Sequence, residues 1–338
     1  MRQALVLACT PGVPLGPNPR VGAVILDEHG AIIAAGYHRG VGTPHAEVVA
    51  LAAAGNAARG GTSVVSLEPC NHVGRTRPCT QALLDAGVQR VVFAQADPNP
   101  VAAGGAAALA AAGVDVEDGI LAVEAETINE VWSAAMRMRR PFVTWKLATT
   151  LDGRSAAADG SSRWITGHEA RTDVQRLRRL CDALVVGTGT VETDDPWLTL
   201  RDEQDVPLPR SEQPLRVVIG IRDLDPAARV FDDAADTIVL PTHDPADALA
   251  QLFAQDRQHV WLEGGPTLAG SFLQSGLVDE VIAYVAPALL GAGVAAVTDL
   301  GIATMADIRR FHLLETTRIG DDVRMILRPT APADEKER

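Results

Sequence analysis

The sequence predicts an α/β protein of two domains. Three observations carry this reading. The chain of 338 residues is longer than one hydrophobic core usually serves. Short β-rich runs alternate with helical segments along most of its length. The run RMRRP at 137–141 interrupts that alternation. We place the first domain at 1–140 and the second at 141–330, and read 331–338, APADEKER, as a disordered tail.

In the first domain, VGAVILD (21–27) and AIIAAGYH (31–38), separated by Glu28, His29 and Gly30, have the spacing of a hairpin. HAEVVALAAAGNAA (45–58) has helical spacing, TSVVSLE (62–68) is a strand, and PCTQALLDAG (78–87) is a helix ended by Gly87. VQRVVFAQ (88–95) is a further strand, and the alanine-rich stretch 102–112 is a plain helix. One long helix over 121–138 closes the domain, because Pro141 disfavours helical geometry in the residue before it. This order predicts an α/β sandwich.

The second domain opens with the strand PFVTWKLA (141–148), the polar loop TTLDGRSAAADGSSRWITG (149–167) and the helix HEARTDVQRLRRLCD (168–182). ALVVGTGT (183–190), LRVVIG (215–220), DTIVL (236–240) and VWLEGG (260–265) have the apolar character of buried strands, and PTLAGSFLQSG (266–276) is a helix. DEVIAYVAPALLG (279–291) and FHLLETTRIGDDVRMILRP (311–329) predict closing strands, the last two joined by a Gly-Asp-Asp turn.

Hydrophobic residues make up 47% of the chain, enough for two cores, while the formal net charge of -13 opposes broad attraction to nucleic acid or an anionic membrane. An anionic small molecule must therefore be met by local arginines. Basic clusters stand at 137–140 and 176–179, although a solvated helical face is the favoured reading of each. No apolar run is long enough to span a bilayer, and MRQALVLACTPG lacks the pattern of a secretory signal, so the expected location is the cytoplasm. Four cysteines form no disulfide framework, and a close pair in a reducing compartment points to metal binding or catalysis.

The closest pair is in LEPCNHVGRTRPC (67–79). Cys70 lies just beyond a strand and Cys79 begins a helix, while His45 and Glu47 open another helix as HAE. One imidazole and two thiolates are three protein ligands for a single zinc ion, which leaves the fourth tetrahedral position for water, as in catalytic sites. Glu47, two residues from the histidine, suits a general acid and base that is not itself a ligand. Zinc-dependent nucleobase deaminases use this order, histidine-x-glutamate followed by proline-cysteine and a second cysteine. Their usual gap of two residues between cysteines is eight here. Two alternatives stand beside this reading: an enzyme of the same fold acting on another pyrimidine or with only one active half, and a zinc-stabilised binding protein, with His72 as a possible fourth ligand.

The longer gap, with PNPRVGAV (17–24), HAEV (45–48) and LEPCNHVGRTRPC, resembles the deaminase domain of the bifunctional riboflavin-biosynthesis deaminase/reductase family. The second half resembles the same family's reductase domain in WKLATTLDGRSA (145–156), SSRWITG (161–167), VGTGTVETDDPWLTLR (186–201) and EGGPTLAGSFLQSGLVDE (263–280). Together these cover about residues 3 to 328. The resemblance implies a cytidine-deaminase-like α/β/α sandwich followed by a dihydrofolate-reductase-like α/β domain, acting on phosphoribosyl pyrimidines with zinc and NADPH. A homo-oligomer formed through the reductase domain is the expected assembly.

Carried over residue by residue, the resemblance gives deaminase substrate contacts to Asn18, His72 and Arg75. Arg77, where the family usually has proline, is neutral variation or an extra phosphate contact. NADPH would meet Ala148, Trp164, Thr190, Asp194 and the run Gly265, Pro266, Thr267, Leu268, Ala269, Gly270 and Ser271. The reductase substrate would meet Ser162, Arg178, Leu198, Arg201 and Glu263.

From the residues alone the signals in this half are weaker. GTGTVE lacks the third glycine of a dinucleotide fingerprint. Gly264-Gly265 before a helix start is either a phosphate site or a tight turn, and Trp164 either a ligand contact or a core residue. Lys146, Asp152 and Asp195 could order loops, and Asp194 and Glu263 are candidate proton donors to the sugar.

Overall fold

The structure is a computed structural model and describes residues 1–72 and 77–330. The chain divides into two compact units, Met1–Arg139 and Arg140–Arg338. Arg75 and the tail 331–338 lie outside the described residues.

Unit 1 runs α1 (Arg2–Ala8), β1 (Gly22–Leu26), β2 (Ile32–Tyr37), α2 (Ala46–Ala54), β3 (Thr62–Leu67), α3 (Cys79–Ala86), β4 (Arg90–Gln95), α4 (Gly105–Ala111), β5 (Asp115–Glu117), α5 (Ala122–Ile128) and α6 (Glu130–Met138). The sheet order is β2-β1-β3-β4-β5, antiparallel from β2 to β3 and parallel from β3 to β5. Alternation along β1 covers both faces. Ala23 and Ile25 pack with Ala46 and Ala50 of α2, whereas Val24 packs with Ala4 of α1. The predicted sandwich is therefore three-layered. Gly36 on β2 lets α2 lie close, since a Cβ there would come within 2.7 Å of the Ala46 carbonyl and the Ala50 nitrogen.

Two expectations in this unit need correction. The start of the chain, assigned no element, forms α1. The single helix over 121–138 is two helices, broken at Asn129. Asn129 leaves helical geometry to clasp the backbone of Arg20, accepting its N–H at 2.8 Å and donating to its carbonyl at 2.9 Å. Those two bonds satisfy the backbone N–H and carbonyl of Arg20, which lies in no helix or strand.

Unit 2 runs β6 (Phe142–Thr150), β7 (Arg154–Ala156), α7 (His168–Arg178), β8 (Ala183–Gly187), α8 (Thr188–Asp194), β9 (Leu215–Ile219), β10 (Thr237–Leu240), α9 (Pro245–Phe253), β11 (His259–Leu262), α10 (Pro266–Gln274), β12 (Glu280–Ala286), β13 (Val294–Ala295), β14 (Phe311–Ile319) and β15 (Asp322–Pro329). Eight strands form one sheet in the order β10-β9-β8-β11-β6-β12-β15-β14, and β7 pairs with β13. The first six run parallel, and their near-continuous apolar sequences match burial on both faces. β12, β15 and β14 close the sheet antiparallel, with the turn at Gly320 in left-handed backbone as the Gly-Asp-Asp reading requires.

Here the polar loop 149–167 proves partly regular, because Thr149 and Thr150 continue β6 and 154–156 pairs with β13. The strand read through 183–190 stops at Gly187, and the following residues turn into α8. Helix α9 was not foreseen, although Asp244 caps it by accepting the Ala246 N–H at 2.9 Å and Pro245 is its first residue. Residues 287–291, expected to extend a strand, lie beyond the end of β12.

Candidate functional site

In unit 1, three separate elements bring three donor atoms together. His45 is the N-cap of α2, Cys70 follows β3 by way of Glu68-Pro69, and Cys79 is the first residue of α3. His45 Nδ1 lies 3.2 Å from Cys79 Sγ and 3.5 Å from Cys70 Sγ, and all three donor atoms fall within 4.8 Å of one another. The Cys79 backbone N–H donates to Cys70 Sγ at 3.4 Å. With the Cys79 thiol, which contributes most, and His45, it draws the Cys70 thiol down to about 4. The Cys79 thiol is pushed up, because its proton is shared with Cys70 and the site is buried. The pair thus carries one negative charge readily and resists a second unless a cation compensates it. One nitrogen and two sulfurs converging in this way fit a zinc ion.

Glu47 stands at the second position of α2 and is 3% exposed. Burial pushes its carboxyl up, while His45 and Cys79 pull the other way. His38, unremarked in the sequence, is buried between the predicted residues. Its Nε2 lies 2.9 Å from Asn18 Nδ2, its Nδ1 is 3.1 Å from the Pro44 carbonyl, and its ring centroid is 5.3 Å from that of His45. Burial lowers its basicity. Asn18 thus approaches His45 through His38. His72 Nδ1 is buried without a hydrogen-bond partner among the described residues.

Beyond these residues, Glu68 and Asp97 brace the cysteine loop. Glu68 accepts N–H bonds from Asp97, Gly104 and Ala106 at 3.1, 3.2 and 2.9 Å, tying the cysteine loop to the start of α4. Asp97 is pushed up to about 7 by burial, with Glu68 and Cys70 nearby. The only cue was DPNP (97–100), where an acid and an amide flank prolines.

In unit 2, a cavity of about 1360 Å³ opens at the carboxyl ends of β6, β8, β9 and β11. Its size exceeds that of a pocket for one small ligand, about 300 to 1,000 Å³. Ala148, Ser162, Trp164, Thr190, Asp194, Leu198 and Arg201 line it, as do Arg178, Glu263, Gly265, Pro266, Thr267, Leu268 and Ser271. Ala269 and Gly270 do not. Ala269 is in the core, and a Cβ on Gly270 would meet Thr298 Oγ1 at 2.3 Å, because these positions of α10 face away from the cavity.

Arg178 and Glu263, predicted as separate contacts, pair with each other through two bonds of 2.6 and 2.5 Å. Burial would raise the Glu263 carboxyl, but Arg178, Lys146 and the Trp261 N–H bring it to about 2. In this arrangement Glu263 is ionised and weakly basic, with both carboxylate oxygens held by Arg178, so it has no proton to give. Lys146 lines the same wall, its ammonium made more acidic by burial. Trp164 is not a core residue: it is 68% exposed, with the Arg171 guanidinium 4.3 Å from its ring centroid. Asp152 and Asp195 do order loops. Asp152 accepts the Gly291 N–H at 2.7 Å and Asp195 the Arg229 N–H at 2.8 Å.

Residues 1–95 match the family model for the cytidine and deoxycytidylate deaminase zinc-binding region, and residues 141–325 match the RibD C-terminal domain. Fold and sites together define a bifunctional enzyme, a zinc-binding deaminase joined to a nucleotide-dependent reductase. The chain is 50% identical to the RibD riboflavin biosynthesis protein of Mycobacterium tuberculosis over 313 residues, covering 92% of this chain and 91% of that one. It is 41% identical to RibD of Escherichia coli, covering 96% of both. It superimposes on Acinetobacter baumannii RibD with a TM-score of 0.87 at 39% identity, covering 98% of each chain. A Thermotoga maritima diaminohydroxyphosphoribosylaminopyrimidine deaminase/5-amino-6-(5-phosphoribosylamino)uracil reductase gives 0.83 at 31% identity, covering 98% of this chain and 97% of that one. The chain belongs to the RibD family, the bifunctional deaminase/reductases of riboflavin biosynthesis.

Proposed function

We propose that unit 1 holds one zinc ion per chain through His45 Nδ1 and the thiolates of Cys70 and Cys79, and deaminates a diaminohydroxyphosphoribosylaminopyrimidine, the substrate named for the Thermotoga relative. The observation that carries this is the convergence of three donor atoms within 4.8 Å beside a buried carboxyl. A bound zinc ion supplies Lewis acidity and makes water nucleophilic near neutral pH. With the ion held there, Glu47, its carboxyl pushed up by burial, would take a proton from the attacking water and pass it to the amino group, which leaves as ammonia. Asn18 pairs with the pyrimidine edge, and His72 and Arg75 receive the ribose phosphate.

Unit 2 then reduces the ribosyl group of 5-amino-6-(5-phosphoribosylamino)uracil to ribityl. NADPH supplies the hydride when bound. Ala148, Trp164, Thr190, Asp194, Gly265 to Leu268 and Ser271 hold the cofactor, and Ser162, Arg178, Leu198, Arg201 and Glu263 hold the substrate; all of them line one cavity. The free thiols accord with a reducing cytoplasm. A homo-oligomer through unit 2 is supported by the edge strand β14, where Leu313 and Leu314 are exposed.

Metal analysis tests the core of this reading. The purified chain is expected to carry one zinc ion, and Cys70→Ala to lose both zinc and ammonia release. A metal-free preparation that deaminates fully would overturn it.

A further inference from the structure

The turn joining β14 to β15 has no part in the sites above, yet Asp322 at its end is a buried carboxylate, 3% exposed. It accepts the backbone N–H of Gly167 at 2.7 Å. Gly167 is the N-cap of α7, whose first N–H groups have no acceptors within the helix and whose dipole favours negative charge there. The turn is packed tightly on that helix, since a Cβ on Gly320 would meet Glu169 Oε2 at 2.9 Å.

The stretch just before Gly167 forms one wall of the reductase cavity through Ser162, Trp164 and Thr166, and it contains neither helix nor strand. Its shape therefore depends on side-chain ties. Arg163 donates to the Asp194 carbonyl at 2.5 Å, and Arg171 donates to the Thr166 carbonyl at 2.8 Å while covering the Trp164 ring. Both arginines themselves belong to the wall or to α7. Asp322 reaches in from the last hairpin of the sheet, and it fixes the point where wall meets helix.

We propose that Asp322 is a positioning residue of the reductase. By holding Gly167, it sets the 162–166 wall in the conformation that receives the nicotinamide nucleotide. This rests on the reading that the cavity binds NADPH. A role confined to helix stability would lower the melting temperature and leave ligand affinity alone.

The test uses the full-length, zinc-loaded chain. NADPH affinity is measured by fluorescence titration, reductase kcat and KM by NADPH oxidation, and ammonia release serves as an internal control. For Asp322→Ala we expect a rise of about tenfold in the Kd and KM for NADPH, the scale of a lost charge-assisted bond or a misplaced wall. The change in kcat should be smaller and deamination unaffected. Asp322→Asn keeps a carbonyl acceptor and should recover most of the affinity.

Wild-type affinity in the alanine variant overturns the proposal whatever the melting temperature, and so does an asparagine variant as weak as the alanine one. Should Asp322→Ala not fold, Asp322→Glu replaces it, retaining the acceptor but displacing it by one methylene. It is expected to show the same loss, and wild-type affinity in that variant overturns the proposal. A wild-type chain that binds no NADPH overturns the cofactor assignment as well, a result distinct from wild-type binding with an indifferent Asp322.

Discussion

Glu47 shares the first turn of α2 with a metal-ligand candidate, and only its side-chain chemistry separates the two roles. Its carboxyl, buried and pushed up, can hold a proton at a pH where an exposed glutamate would not. Glu47→Gln keeps size and burial but removes that capacity. We expect ammonia release to fall by about a hundredfold to ten-thousandfold, the range for lost general acid–base catalysis, with zinc content and NADPH oxidation retained. Equal loss of both activities would count against this assignment. At the same scale, Arg178 and Glu263 form a mostly buried pair, 13% and 14% exposed, so truncating either leaves the other's charge poorly compensated. Assays of such variants must therefore separate ligand binding from folding.

Between elements, the junction of the cysteine loop with α4 depends on Gly105. A Cβ there would stand 1.8 Å from the Pro69 carbonyl, one residue before Cys70. Gly105→Ala must displace that loop, and overpacking of this kind costs about 1–3 kcal/mol. The expected result is a lower unfolding midpoint of unit 1 together with weaker zinc retention in a chelator competition. An unchanged midpoint would show that the loop yields freely.

Much at this scale was legible in the sequence, and what was missed has identifiable causes. The longer strands, α3 and α10 were readable because apolar periodicity and glycine stops agreed; α2 was readable by its spacing but not its end at Ala54, and β5, β7 and β13 are too short to show a period. HAE and the two cysteines placed the metal site because each sits at a helix or strand end, where spacing translates directly into position. The break at Asn129 was hidden because its cause, the Arg20 backbone, lies 109 positions away. His38 carried no motif, and the motifs that contain Glu68 and Asp322 gave those two residues no role. Their importance comes from which backbone or side-chain groups the fold places opposite them. Ala269 and Gly270 were over-assigned because a run of letters does not reveal which positions of a helix face a cavity.

For the whole molecule, the two candidate sites belong to separate compact units, and each has its own chemistry. Removing zinc with a chelator is therefore expected to abolish ammonia release while NADPH oxidation with the supplied uracil intermediate continues in the same sample. Joint loss would indicate that the metal supports the fold of both halves. The strand order of the larger sheet also dictates how the chain must fold. β6, the first strand of unit 2, lies between β11 and β12, among the last to be made, and Thr144 meets His259 across 115 positions. The deaminase half can fold as soon as it leaves the ribosome. The reductase half has to keep its first strand waiting until nearly the whole chain exists, so nascent chains truncated before β12 should be the aggregation-prone species during synthesis.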